Sequence, residues 1–186
     1  MGSYAVFLRG INVGGINIKM ADLRDALKNR GFTDAKTLLA SGNVVLSSTL
    51  DAAAVKQECE QCLRAAFGYE SWVVVLDAGT VAQLVEACPF PEDDKSTHTY
   101  ITLSSDAKVL DELEAAGSAL EKHDQQRLGP EALAWLAPVG GTLESPFSKI
   151  SAKAKFKAAT TTRNLRTMIK ISDAAAALAA AQATSS

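Results

Sequence analysis

The chain is short of the residues that most often carry chemistry. It holds two histidines and three cysteines in 186 residues, so a Ser-His-Asp or Cys-His relay has little to be built from. His98 lies beside an expected strand and His123 sits in a polar loop next to Asp124, which gives a Ser-His-Asp or Cys-His reading no local support. Aromatic residues make up 6% of the chain and the formal charge is -2. A charge so close to zero supplies no overall field to recruit nucleic acid or an anionic membrane. No apolar run approaches the ~20 residues a spanning helix needs, and no secretory signal pattern opens the chain. A soluble protein of the cytoplasm is therefore expected, with no membrane partner.

The cysteines do not come in the even number of a secreted disulfide scaffold. Cys59 and Cys62 spell C-x-x-C, but a redox pair wants its first thiol at a helix amino terminus after a strand, whereas Asp51 to Phe67 reads as one helix with the pair in mid-course. Val55, Cys59, Cys62, Leu63, Ala66 and Phe67 follow the spacing of an inward stripe, so packing thiols are expected. The densest set of metal-ligand types, Glu92, Asp93, Asp94 and His98, reads as a solvated acidic linker. No metal and no cofactor is assigned.

What is present is a regular succession of elements. Tyr4 to Leu8 reads as a buried strand and Met20 to Arg30 as a helix, with Gly31 closing it. Thr37 to Ala40 and Val44 to Ser47 flank Ser41-Gly42-Asn43 as a hairpin. Asp51 is placed to cap the next helix, and Trp72 to Leu76, WVVVL, is a β-branched strand. Strand, helix, strand, strand, helix, strand is the order of a split βαβ, or ferredoxin-like, unit.

Beyond a connecting helix, Asp77 to Cys88, and a linker, Pro89 to Lys95, the order recurs. Thr99 to Leu103 reads as a strand, Ala107 to Ala116 as a helix, and Gln125 to Leu128 and Ala132 to Pro138 as strands. A helical segment around Ser148 to Lys157 and an extended stretch at Ala158 to Thr162 complete a second, looser copy. The expected organisation is α+β: a ferredoxin-like unit over 1–78, a connector over 79–96, a second unit over 97–162, and a carboxyl-terminal helix over 163–186. Its alanine-rich tail is expected to fray over the last ten or so residues. Trp72, Trp135, Tyr4 and Tyr100 fall in strands, where core packing is the ordinary reading and base stacking the rarer one.

One loop stands out. RGINVGGIN, Arg9 to Asn17, follows the first strand and precedes the first helix, the setting of a phosphate loop. Gly10 and Gly15 have the right spacing, but Ile16 and Asn17 stand where Lys and Ser or Thr are required, and G-x-G-x-x-G is absent. A nucleotide-hydrolysing loop is thereby set aside. There remain glycines that let backbone amides approach a ligand, a helix amino end, and Arg9 and Lys19 on either side. The competing reading is a turn that Arg9 and Asn12 fasten to its own carbonyls. A second basic stretch, Lys149 to Lys170, carries Lys149, Lys153, Lys155, Lys157, Arg163, Arg166 and Lys170 without an acidic residue; it reads either as a solvated face or as an anion site.

RGINVGG at Arg9 to Gly15, MADLRDAL at Met20 to Leu27, GFTD at Gly31 to Asp34, SGNVV at Ser41 to Val45 and TTRN at Thr161 to Asn164 together resemble the bacterial domain-of-unknown-function family 1697 (DUF1697). The resemblance implies a small cytosolic α+β protein without an established activity, and supports two ferredoxin-like units. It marks Arg9, Gly10, Asn12, Gly14, Gly15, Ser41, Gly42, Asn43, Thr162, Arg163 and Asn164. Ile16 and Ala40 depart from it, standing where many relatives carry polar residues.

The function expected is binding of a small anionic ligand through Arg9, Gly10, Asn12, Gly14, Gly15, Arg163 and Asn164, with no catalytic residue assigned. A single-stranded nucleic-acid module and a structural or interaction role are the alternatives. With the first strand running up, the second down and the third up, the glycine loop and the Ser41 turn are expected at opposite ends, so Arg163 is the expected partner of Gly14.

Overall fold

The computed structural model describes residues 1–11, 17–70, 72–92, 95–121 and 124–184. The chain divides into two compact units, Met1–Ala82 with Lys170–Ser186, and Gln83–Ile169.

In unit 1 the first half of the chain forms β1 (Gly2–Leu8), α1 (Met20–Asn29), β2 (Lys36–Leu38), β3 (Asn43–Ser48), α2 (Ala52–Phe67) and β4 (Val73–Asp77), and α3 (Ala78–Glu86) runs on from it into unit 2. The sheet is antiparallel with order β2-β3-β1-β4, the ferredoxin-like arrangement. Alternation along β1 sends Val6 and Leu8 toward α1 and α2, where they pack with Leu23, Leu27, Val55 and Leu63. Asp51 caps α2 as its position demands, accepting a hydrogen bond from the Ala54 N–H at 2.8 Å. Asp34, from GFTD, accepts one from the Ser47 N–H at 3.0 Å and so fastens β3.

Unit 2 repeats the plan with β5 (Thr97–Leu103), α4 (Ala107–Ser118), β6 (Gln125–Gly129), β7 (Ala132–Pro138), a 3-10 turn at Thr142–Glu144, α5 (Pro146–Ser151), α6 (Ala154–Lys157) and β8 (Thr161–Asn164). Its antiparallel order, β6-β7-β5-β8, matches that of unit 1 strand for strand. The single second helix of unit 1 is replaced by the broken pair α5 and α6. Trp135 is an organising residue of this core: its indole N–H donates to the Thr102 hydroxyl at 3.0 Å, Tyr100 stacks on it at 4.8 Å and Phe147 lies 5.2 Å away.

The last helix, α7 (Leu165–Ala183), runs into the alanine-rich tail, where Ala175 and Leu178 are buried and alanine costs nothing in helix propensity. Among the described residues no helix is long and apolar enough to cross a membrane.

Candidate functional site

The exit of β1 is where the sequence motifs of unit 1 converge. Since β3 pairs antiparallel with both β1 and β2, β1 and β2 run in the same direction. The loop after β1 and the β2–β3 turn therefore leave the sheet at the same end. The expectation of opposite ends is wrong; it gave the chain a reversal between β1 and β2 that α1 already supplies. The closeness is direct, with the Leu8 N–H donating to the Gly42 carbonyl at 2.8 Å. Gly42 is buried at φ 77°, and a Cβ there would lie 2.5 Å from Ile11 Cδ1 and 3.0 Å from Leu8 Cβ. Only glycine satisfies both the backbone and the space.

The neighbours of that glycine set the turn. The Asn43 side-chain amide donates to the Leu38 carbonyl at 2.9 Å and to the Ser41 hydroxyl at 3.0 Å. Leu39 adopts φ 58°, unusual for a branched side chain, and is 46% exposed.

Arg9 is fixed at two levels. The Tyr69 hydroxyl receives the Arg9 N–H at 2.9 Å and donates to the Arg9 carbonyl, from a side chain 2% exposed. The guanidinium lies 5.6 Å from the Trp72 ring centroid, and Lys56 Nζ lies 5.9 Å from it, distances at which ring and cations attract. Gly10 follows, exposed at φ 64°. Asn12, Gly14 and Gly15 lie outside the described residues, and with them the expected pairing of Gly14 with Arg163. Lys19 occupies the N-cap position of α1, where its side chain makes no capping hydrogen bond. The amino end of α1 thus keeps backbone N–H groups that no cap side chain from Lys19 answers.

Unit 2 makes the same connection differently. Between β5 and α4 lie Ser104 to Asp106, against Arg9 to Lys19 in unit 1. The Ser104 hydroxyl accepts from the Asp106 N–H at 3.0 Å and donates to the Ala159 carbonyl at 2.9 Å, while the Asp106 carboxylate caps α4 at the Lys108 N–H, also at 3.0 Å. A short connection closed by hydroxyl and carboxylate suffices to join strand and helix in this fold. The longer one in unit 1 exceeds the usual 2–6 residues of such loops.

Arg163 and Asn164, the remaining sequence candidates, lie on β8. Arg163 is 6% exposed, and one nitrogen of its guanidinium donates to the Thr161 hydroxyl at 2.8 Å and the Thr162 carbonyl at 2.9 Å. Asn164 accepts from the Arg166 N–H at 2.8 Å and so starts α7. Three of the seven cations in the basic stretch beginning at Lys149 meet acids: Lys149 pairs with Glu144, Lys155 with Glu112 and Arg166 with Glu92. Cys59 and Cys62 are buried on α2, although Ala66 of the same expected stripe is exposed. Burial pushes the Cys59 thiol up to about 12 and also raises that of Cys62, against a lowering by Arg30. Neither suits a thiolate at neutral pH. Among the described residues no group of His, Cys, Asp and Glu is placed to hold a metal ion.

Comparison with known proteins agrees with the fold and is silent on activity. A family model described as "Protein of unknown function (DUF1697)" matches residues 1–133, a span that includes the glycine loop and the Ser41 turn but stops short of Thr161–Asn164. A solved structure, the conserved bacterial protein SP0830 from Streptococcus pneumoniae, is similar with a TM-score of 0.79 at 23% identity, covering 94% of this chain and 98% of that one. No curated protein matches.

Proposed function

Because the chain belongs to the DUF1697 family of proteins of unknown function, its activity has to be read from its own residues, and we propose that it binds a small anion at the β1 exit of unit 1. The observation that carries this reading is the contrast between the two halves. Unit 2 closes its strand-to-helix connection with Ser104 and the Asp106 cap, whereas unit 1 uses Arg9 to Lys19, sets a cation at each end, and starts α1 without a side-chain cap from Lys19. A helix amino terminus flanked by Arg and Lys favours a carboxylate or phosphate. Gly10, Asn12, Gly14 and Gly15 are the loop positions assigned to the ligand, with Arg9 and Lys19 supplying charge. Arg163 and Asn164 make hydrogen bonds at β8 and at the start of α7.

A single-stranded nucleic-acid platform has less support. Such sheets present accessible aromatics to bases, and here Phe7, on the face of β1 away from α1 and α2, is 0% exposed and Trp135 is 3% exposed.

The test is thermal unfolding of the parent, Arg9→Ala and Lys19→Ala with inorganic phosphate, pyrophosphate and a panel of phosphorylated metabolites. A ligand at 100 times its Kd stabilises the native state by about 2.7 kcal/mol. Stabilisation of the parent that shrinks in both variants supports the site. Equal stabilisation of all three removes Arg9 and Lys19 from it, and stabilisation of none removes the ligand class.

A further inference from the structure

The anion site leaves Trp72 without a task, although its ring lies beside Arg9. Trp72 stands one position before β4, and the register that sets Leu8 against Val73 makes Arg9 and Trp72 the next positions along the two strands. Side chains fasten the backbone on both strands at this point. The Tyr69 hydroxyl answers the N–H and the carbonyl of Arg9. On the other strand the Glu60 carboxylate accepts the Val73 N–H at 3.0 Å, and Lys56 Nζ donates to the Val73 carbonyl at 2.6 Å. Strand ends tied in this way have little freedom left to lose when a ligand arrives.

The cations above these ties are spent differently. Lys56 forms an ion pair with Glu60 on its own helix. Arg9 sets its guanidinium carbon 5.6 Å over the Trp72 ring centroid, within the reach of the ring quadrupole. A guanidinium held through its face keeps its in-plane N–H donors for oxygen acceptors, in the fork that carboxylate and phosphate match. An arginine otherwise loses its rotamer freedom on binding, so a ring that holds it beforehand raises affinity by cutting that loss. We infer that Trp72 is a positioning residue of the anion site, its ring holding the Arg9 guanidinium in place for the ligand. The role rests on the anion site proposed above, where Arg9 supplies the charge.

The experiment measures the pyrophosphate Kd of the full chain and of its Trp72→Phe and Trp72→Leu variants by isothermal titration calorimetry, alongside the Arg9 Nε–H signal in nitrogen-15 NMR, identified by its loss in Arg9→Ala. Trp72→Leu is expected to bind about three- to fivefold more weakly, the scale of one exposed cation–ring contact, and Trp72→Phe to lose less because it keeps a ring. The Arg9 Nε–H signal of the unliganded parent is expected upfield of the other arginines, displaced by the ring, and to return toward them in Trp72→Leu. Packing alone moves an unfolding midpoint and not an affinity, so an equal Kd in all three proteins overturns the inference and leaves the anion site standing. An Arg9 signal that Trp72→Leu leaves in place overturns it too. If the parent binds no pyrophosphate, the anion site fails and the positioning role falls with it. If Trp72→Leu does not fold, Trp72→Phe and the parent signal decide, and an undisplaced Arg9 signal in the parent overturns the inference.

Discussion

The Tyr69 hydroxyl holds both backbone polar groups of Arg9, receiving its N–H at 2.9 Å and donating to its carbonyl. Sixty positions separate the two residues, so the end of β1 is fastened by the segment that leads into β4. This clamp makes the start of the glycine loop a fixed point. The part that the fastened-turn reading gives to Asn12 lies outside the described residues.

Tyr69→Phe removes both bonds while keeping the ring. With the tyrosine buried, the loss should cost about 1–3 kcal/mol, the range for leaving part-buried polar groups unanswered. Urea unfolding followed by tryptophan fluorescence measures it; an unchanged midpoint would show that the clamp contributes nothing.

The buried thiols give a prediction at alkaline pH. Cys59 is raised from 9.0 to about 12 in the folded chain, with burial the main cause. A raised folded value means that the contribution to stability is complete below the unfolded value and is lost as pH rises toward the folded one. Cys59→Ala should therefore flatten the decline in stability between pH 9 and about 12, as read from urea midpoints across that range. At pH 8, Ellman's reagent should label the native protein more slowly than the urea-unfolded chain.

Asp77 works with the opposite sign. Burial raises its carboxyl, but hydrogen bonds from the Thr80 hydroxyl and from the backbone of Thr80, Asp77 and Gly79 outweigh this and hold it below 3.8. The Thr80 N–H and hydroxyl lie 2.9 and 2.7 Å from its oxygens, at the start of α3. A depressed value gives stability that is present above the unfolded pKa and lost as pH falls through the folded one. Asp77→Ala should cost about 1 kcal/mol at pH 7, and the difference from the parent should shrink as pH falls below 3.8. A difference independent of pH would place the effect in packing.

Leu39 offers a change in the stabilising direction. Its φ of 58° carries strain that glycine does not feel, and the side chain is half exposed. Leu39→Gly should raise stability by about 0.5–1 kcal/mol, after the greater freedom of glycine in the unfolded chain offsets part of the relief. A lower unfolding midpoint would mean that the Leu39 side chain contributes more than its conformation costs.

Local signals were the legible ones. Asp51 was readable as a cap because the capping contact lies three residues away, and Val73–Asp77 as a strand because its β-branched residues favour extended backbone. The ends at which the loops emerge were misread, because strand direction depends on the path through α1 and not on any residue in the turn. The acids that answer Lys155 and Arg166 lie 43 and 74 positions away in the chain, so the basic stretch looked unopposed in sequence. Tyr69 carried no motif at all. Its role depends on the register that sets Leu8 against Val73, which pairing alone establishes.

The central claim, an anion site at the β1 exit, is tested most directly by titrating pyrophosphate into nitrogen-15-labelled protein and following the amides of Arg9 to Asp22 and Ser41 to Asn43. The account predicts saturable shifts confined to those two segments, abolished by Arg9→Ala and weakened by added salt. Shifts scattered over the surface, or an unchanged titration in Arg9→Ala, would contradict it.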